Sequence, residues 1–237
     1  MDFDPLEIAR QLTLIDQELL LSIFPNHLLS KISNSGQYCK SVTDYCNHFN
    51  KINAGFTSLF LETSNINERV LFLKHMIKVI HECVGLRNFG SAMSLLAAIT
   101  SSPIYRLKHT WAKFSSKHPK SYHLHQQQTE LLTPTNSYAR LREKCDSFNG
   151  PQLVYLGMYL TDLTFLEDGN LTYLTPGVWN FAKIESIAAV LKNFMKIRKF
   201  RFNFSEVPVI KNFLLDLKTM TDREHYQRSL EIEPRGS

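Results

Sequence analysis

The chain has 237 residues, a formal net charge of +5 and 43% hydrophobic residues, enough to bury a large core in one or two domains. No apolar run reaches the roughly 18 to 20 residues that a membrane helix needs, and the acidic start MDFDPLEIARQ lacks the basic-then-apolar order of a secretory leader. Cys39, Cys46, Cys83 and Cys145 are scattered without C-x-x-C spacing, which points to a reduced intracellular chain and away from a disulfide framework or zinc site.

Apolar residues recur mostly at three- and four-residue steps, the signature of helix. Asp4-Pro5-Leu6-Glu7 supplies an N-cap, a proline at the first helical position and a glutamate where a capping box places one. The stripe Ile8, Leu12, Ile15 and Leu19 runs from there to Phe24-Pro25. A polar loop over Ser33 to Gln37 precedes a second helix carrying Val42, Tyr45, Cys46, Phe49, Ile52 and Phe56 on one face. Asn65 with Glu68 opens a third, with Val70, Ile77, Ile80 and Val84 inward and Gly85 at its end. Phe89 to Ile99, rich in small residues, reads as a closely packed helix stopped by Thr100-Ser-Ser-Pro103. Ser115 to Gln128 is polar and basic without a convincing apolar stripe, so an exposed loop with at most partial helix is expected there, followed by a helix over Asn136 to Phe148.

Pro151 to Asn170, PQLVYLGMYLTDLTFLEDGN, predicts a helix that changes character. Its first half, with Leu153, Val154, Tyr155, Leu156, Met158, Tyr159 and Leu160, is apolar nearly all round and should be buried. Its second half brings Thr161, Asp162, Thr164, Glu167 and Asp168, with Gly169 in the C′ position. Two carboxylates in the last turn face the negative end of the helix dipole, which disfavours them by up to about 1 kcal/mol. Local rules broken in this way concentrate at functional sites. Thr175-Pro176 reads as the start of the next helix, running to Arg201, and two helices joined by a short turn make an antiparallel hairpin over about 154–199. Val209 to Met220 and Asp222 to Leu230 supply two shorter helices, SLEIEPR closes the natural sequence, and Gly236-Ser237 reads as a cloning remnant. The fold class expected is all-α, one helical domain.

Motifs for covalent chemistry are missing. There is no H-E-x-x-H, no phosphate-cradling glycine loop and no nucleophile elbow. His123 and His125 are at most a loose metal pair. Glu167 and Asp168 are adjacent and diverge on a helix, unlike an opposed carboxylate pair. Lys196 to Phe202, where Phe200 and Phe202 interleave with cations, is a basic stretch of the kind that lines nucleic-acid grooves, or a solvated helix end.

Several stretches together resemble the catalytic domains of Ras-type guanine-nucleotide exchange factors. They are FDPLEIARQLTLID (Phe3 to Asp16), NINERVLFLKHMIKVIHEC (Asn65 to Cys83), LRNFGSAMSLLAAITSSPIYRLKHTW (Leu86 to Trp111), PQLVYLGMYLTDLTFLEDGN, the Asn180-Phe181 helix start and SLEIEPR. The resemblance covers nearly the whole chain, in the family's order. It implies an all-helical module whose protruding hairpin opens the nucleotide site of a Ras-family small GTPase, without a cofactor of its own. Magnesium and guanine nucleotide would belong to the partner, and the work would be done in the cytoplasm, at the membrane where the GTPase is anchored. It assigns Thr164 and Asp168 to the intrusion beside the magnesium site. It places Cys46, Asn47, Asn50, Met93, Thr100, Ser137, Tyr138, Tyr155, Thr161 and Glu167 among the GTPase contacts, and gives Glu68, Arg69 and Arg106 framework roles. A relative that grips its GTPase without exchanging nucleotide is the second reading.

The sequence also departs from the family's pattern. Asp168 stands where glutamate is usual, Gly90 where asparagine is, Gly55 where a tryptophan is common, and Ile184-Glu185 where a basic pair often follows Lys183. The helical exchanger motif that precedes many relatives has no counterpart in this sequence.

Overall fold

A computed structural model describes residues 3–30 and 37–235; most of the expected loop at Ser33 to Gln37, and Gly236-Ser237, lie outside them. Helix α1 (Pro5–Leu21) starts as its cap predicts, with the Asp4 carboxylate accepting the Glu7 amide at 3.2 Å. After α2 (Pro25–Leu28) come the long α3 (Lys40–Glu62) and α4 (Ile66–Gly85), the latter capped by Asn65, whose side chain accepts the Asn67 amide. Helix α5 (Phe89–Thr100) is the centre of the packing, lying against α1, α3 and α4. Its small residues permit this closeness: a Cβ at Gly90 would lie 2.3 Å from the Tyr45 hydroxyl of α3. At Gly55 a Cβ would lie 2.8 Å from Leu217 Cβ, so Leu217 takes up the space beside that helix.

A polar knot pins three of these helices. The buried Asp16 carboxylate of α1 accepts from Asn88 Nδ2 at 2.8 Å and from the Ser91 hydroxyl, and His48 Nε2 of α3 lies 3.4 Å away. Such a carboxylate is tolerable in a core only because its oxygens are engaged. Around the knot, one apolar cluster is built on Phe56, Phe60, Leu73, Phe89 and Leu95, and a second on Leu20, Tyr45, Leu156, Tyr159 and Phe194. Leu19, Tyr138 and Tyr155 pack against both clusters, making one continuous core.

The short α6 (Ser102–Tyr105) leads to α7 (Lys108–Lys117) and α8 (Pro119–Leu132), which correct the expected loop over Ser115 to Gln128. Pro119 starts α8, and its inward stripe is Tyr122, His125, Gln128 and Leu132. Gln128 is buried and donates to the Ile77 carbonyl at 3.0 Å. A stripe of aromatic and amide side chains carries little hydropathy, so it reads as polar. Helix α9 (Thr135–Asp146) holds Asn136, Ser137 and Tyr138 at φ of 50°, 53° and 63°, a left-handed turn at its start where a regular helix is expected.

Residues 151–155 are extended, not helical: Leu153 lies parallel to Asn88 as an isolated bridge, its amide donating to the Arg87 carbonyl and its carbonyl accepting from Phe89. Helix α10 therefore spans Leu156–Gly169, with Leu156, Met158, Tyr159 and Leu163 buried. Two short strands follow, β1 (Tyr173–Thr175) and β2 (Val178–Trp179), paired antiparallel. Thr175-Pro176 thus opens a tight turn and not a helix. Pro176 and Gly177 occupy the two central positions, and Gly177, at φ +80°, supplies the positive φ that a type II turn requires at the second of them. Helix α11 (Phe181–Phe194) begins at Asn180, whose side chain accepts the Lys183 amide at 3.2 Å, and runs into a 3₁₀ turn (Met195–Lys199). Helices α10 and α11 pack on each other. Helices α12 (Pro208–Leu215) and α13 (Asp222–Ile232) complete the chain, and α13 docks on α3 and α6. No helix among the described residues is long and apolar enough to cross a membrane.

Candidate functional site

The last two turns of α10 hold Thr161, Thr164 and Asp168, which at 100° per residue fall on one face. The Thr164 hydroxyl donates back to the Leu160 carbonyl at 2.9 Å. Its proton is spent within the helix, and a methyl and a lone pair remain to be offered outward. Phe165, 69% exposed, shares this face, and a cleft of about 210 Å³ opens beside it, lined by Tyr38, Leu160, Thr161, Thr164 and Phe165. Phe165 belongs to no motif, and only its position four residues beyond Thr161 signals that it lies on that face.

The three carboxylates of α10 have different surroundings. Asp162 receives both its hydrogen bonds from Arg142 Nη2 of α9, at 2.8 and 2.9 Å. Glu167 pairs with Lys183 of α11 at 3.0 Å. Asp168 is exposed and has no partner among the described residues. The two carboxylates that break the dipole rule are therefore not equivalent, because Lys183 supplies the cation that this helix end wants. Its ammonium also donates to the Asn170 carbonyl and to Thr172 Oγ1, both at 3.0 Å, and lies 3.4 Å from the Glu167 carbonyl. Asn170 Nδ2 donates to the Leu166 carbonyl at 3.1 Å. These side chains, not a left-handed glycine, satisfy the end of α10; Gly169 is its last helical residue, and Gly177 is the only described glycine with positive φ.

Beyond Gly169 the surface is apolar and free of charge from Asn170 to Ala182. Leu171 and Phe181 are 72% and 71% exposed, and the Tyr173 and Trp179 rings stack 4.5 Å apart across the strand pair. Exposed apolar surface so concentrated in sequence marks an interaction region.

The other assigned residues fall into groups. Tyr155 lies against Tyr138 and Phe49, with ring centroids 5.7 Å apart in each case. Burial, then Tyr138, pushes the Tyr155 hydroxyl up to about 12, and burial raises the neighbouring Cys46 thiol. Ser137 is exposed in the left-handed turn, one residue from Tyr138. Met93 and Thr100 line an open groove of about 790 Å³ with Tyr105, Trp111, His125 and Pro134. Asn47 and Asn50 are exposed on α3, and Asn47 borders a separate cleft of about 340 Å³ with Glu18, His48 and Lys211. Arg69 and Arg106 are internal: Arg69 bonds Thr110 and the Thr63 and Ser64 carbonyls, and Arg106 bonds Ser229. Glu68 is exposed.

The basic stretch and the histidine pair are engaged elsewhere. Arg198 donates to the Leu21 and Ile23 carbonyls and lies 4.4 Å over the Phe24 ring, while Lys196 pairs with Asp146 at 3.6 Å. His125 stacks on Trp111 and His123 faces Gln127, so the two do not converge on a metal.

Comparison with known proteins gives the family. A family model described as "RasGEF domain" matches residues 7–185. The chain is 31% identical over 237 residues to Ras guanine nucleotide exchange factor Y of Dictyostelium discoideum, covering 98% of this chain and 16% of that protein. It is 33% identical over 240 residues to Ras guanine nucleotide exchange factor P of the same organism, covering 100% and 16%. It is 30% identical over 234 residues to Ras-specific guanine nucleotide-releasing factor 2 of Mus musculus, covering 97% and 19%. The chain thus spans less than a fifth of the length of each of these relatives.

Proposed function

Because the chain belongs to the RasGEF domain family, we propose that it promotes GDP release from a Ras-family small GTPase, and that helices α10 and α11, over about 154–199, act as a protruding hairpin that wedges open the nucleotide site. The family needs no cofactor of its own; magnesium and nucleotide are the partner's. The groove and cluster formed by Met93, Thr100, Cys46, Tyr138 and Tyr155 grip the GTPase, with Asn47, Asn50 and Ser137 at the edge. Thr164 intrudes beside the magnesium site, and Thr161, on the same helix face, contacts the GTPase. Asp168 brings negative charge to a phosphate and magnesium site, weakening it by repulsion and by capturing its donors. Glu167, which the resemblance places among the contacts, acts instead through its ion pair with Lys183.

The observation that carries this reading is Asp168: exposed and without a partner among the described residues, on the same face as Thr164, while Asp162 and Glu167 are tied down. Exchange is a linkage effect, in which any contact made better with the nucleotide-free GTPase than with the loaded one weakens nucleotide by the same factor. The test is release of labelled GDP from a Ras-family GTPase. Asp168→Ala and Thr164→Ala should each slow the catalysed release by about tenfold, which is about 1.4 kcal/mol of differential contact. Both variants releasing GDP at the wild-type rate would end the wedge assignment. Stable GTPase binding by the wild type with no accelerated release would instead identify the non-exchanging relative.

A further inference from the structure

We propose that Lys183 is a positioning residue for exchange: its ammonium closes the C-terminal end of α10 and draws Glu167 inward, so that Asp168 is the carboxylate left facing the partner. This rests on the wedge reading above.

Helix α11 is otherwise exposed along most of its length, and the residues it buries are Phe194 and Lys183. The Lys183 side chain is 4% exposed. An ammonium that far from water is tolerated only where its protons are all received. Here every acceptor belongs to the end of α10 or the turn after it: the Glu167 carboxylate and carbonyl, the Asn170 carbonyl and Thr172 Oγ1. Two of these are main-chain carbonyls at a helix terminus, which lack helical donors and carry the negative end of the dipole. Asn180 fastens the same turn from the start of α11, donating from its side chain to the Leu171 carbonyl and from its amide to the Thr172 carbonyl.

The geometric consequence falls on Asp168. Successive helical residues are about 100° apart, so fixing Glu167 toward α11 rotates Asp168 off that contact, onto the side that carries Thr164 and Thr161. Without the ammonium, the last turn loses its cation, and Glu167 and Asp168 repel each other in the field of the helix end.

The experiment uses the full chain and a GDP-loaded Ras-family GTPase, with Lys183→Met, Lys183→Arg, Asp168→Ala and the double variant Asp168→Ala/Lys183→Met. Lys183→Met should lower kcat for GDP release by about tenfold with KM within about twofold. Lys183→Arg should recover part of the rate. The double variant should be no slower than Asp168→Ala alone, because both changes remove one presented carboxylate. Amide hydrogen exchange, measured without the GTPase, should speed up over residues 166–170 in Lys183→Met and stay unchanged over 158–160. Losses that multiply in the double variant would make Lys183 a general brace and overturn the inference, as would wild-type release or an unaltered exchange rate at 166–170 in Lys183→Met. Should Asp168→Ala itself release GDP at the wild-type rate, the wedge reading falls with the presentation of Asp168, and the amide measurement alone decides whether Lys183 closes the helix.

Discussion

Tyr45 shows how closely single side chains are fitted in this core. Its hydroxyl is buried with no hydrogen-bond partner among the described residues, and burial holds its pKa well above the ordinary tyrosine value. The absent Cβ of Gly90 leaves room for that hydroxyl. Gly90→Ala should therefore destabilise the fold by about 2 kcal/mol through overpacking. Tyr45→Phe, which removes the colliding oxygen and an unsatisfied polar group, should restore most of the loss. Urea unfolding of the two single variants and the double checks this; an equal Gly90→Ala penalty in both backgrounds would contradict it. The departure from the family's usual asparagine at this position is thus accounted for inside the protein, on the side of α5 that faces α3, and bears on packing before it bears on binding.

Among the elements, α7 depends on a residue far away in sequence. Glu233, in the closing SLEIEPR segment, sits at the positive end of α7 and accepts from the His109 amide at 3.1 Å, the Thr110 amide at 3.0 Å and the Thr110 hydroxyl at 2.7 Å. Arg69 lies 3.9 Å away, its pKa lowered by burial, which Glu233 only partly offsets. Glu233→Ala would uncap α7 and strand a buried guanidinium, at a cost of about 3 kcal/mol. The urea midpoint measures it, and a loss below about 0.5 kcal/mol would mean that the carboxylate is not a cap. At this scale the sequence could be read well where hydropathy and capping agree, as at Asp4 and Asn65. It misled where a side chain from elsewhere supplies what local chemistry lacks. The inward stripe of α8 has Tyr122, His125 and Gln128 before its one buried leucine, Leu132, the start of α10 is pulled straight by pairing with Asn88, and the helix end at Gly169 is closed by Lys183 of the next helix. Each of those contacts joins residues whose meeting no short window displays. The helix end itself was marked by two carboxylates set against the dipole, but the roles of Thr164 and Asp168 came only through resemblance, since the two form no motif by themselves.

For the molecule as a whole, stability should fall on mild acidification. His75, His125 and His225 are each held below the ordinary imidazole range, with burial the first cause. The unfolded chain, with imidazoles near 6.5, then takes up protons that the native state refuses, so this contribution is complete above about pH 7 and fades as pH drops through 6.5 toward the folded values. The urea midpoint should decline between pH 7.5 and 5.5, and a flat profile would refute the sign. The uncharged turn between α10 and α11 has another consequence. Of the two tryptophans, Trp111 is half-buried and stacked on His125, while Trp179 is 47% exposed on β2. The protein therefore contains its own optical gauge: iodide should quench the red-edge emission of Trp179 first, and a partner that covers the strand pair should shield that indole and move its emission to the blue, a component that Trp179→Phe removes.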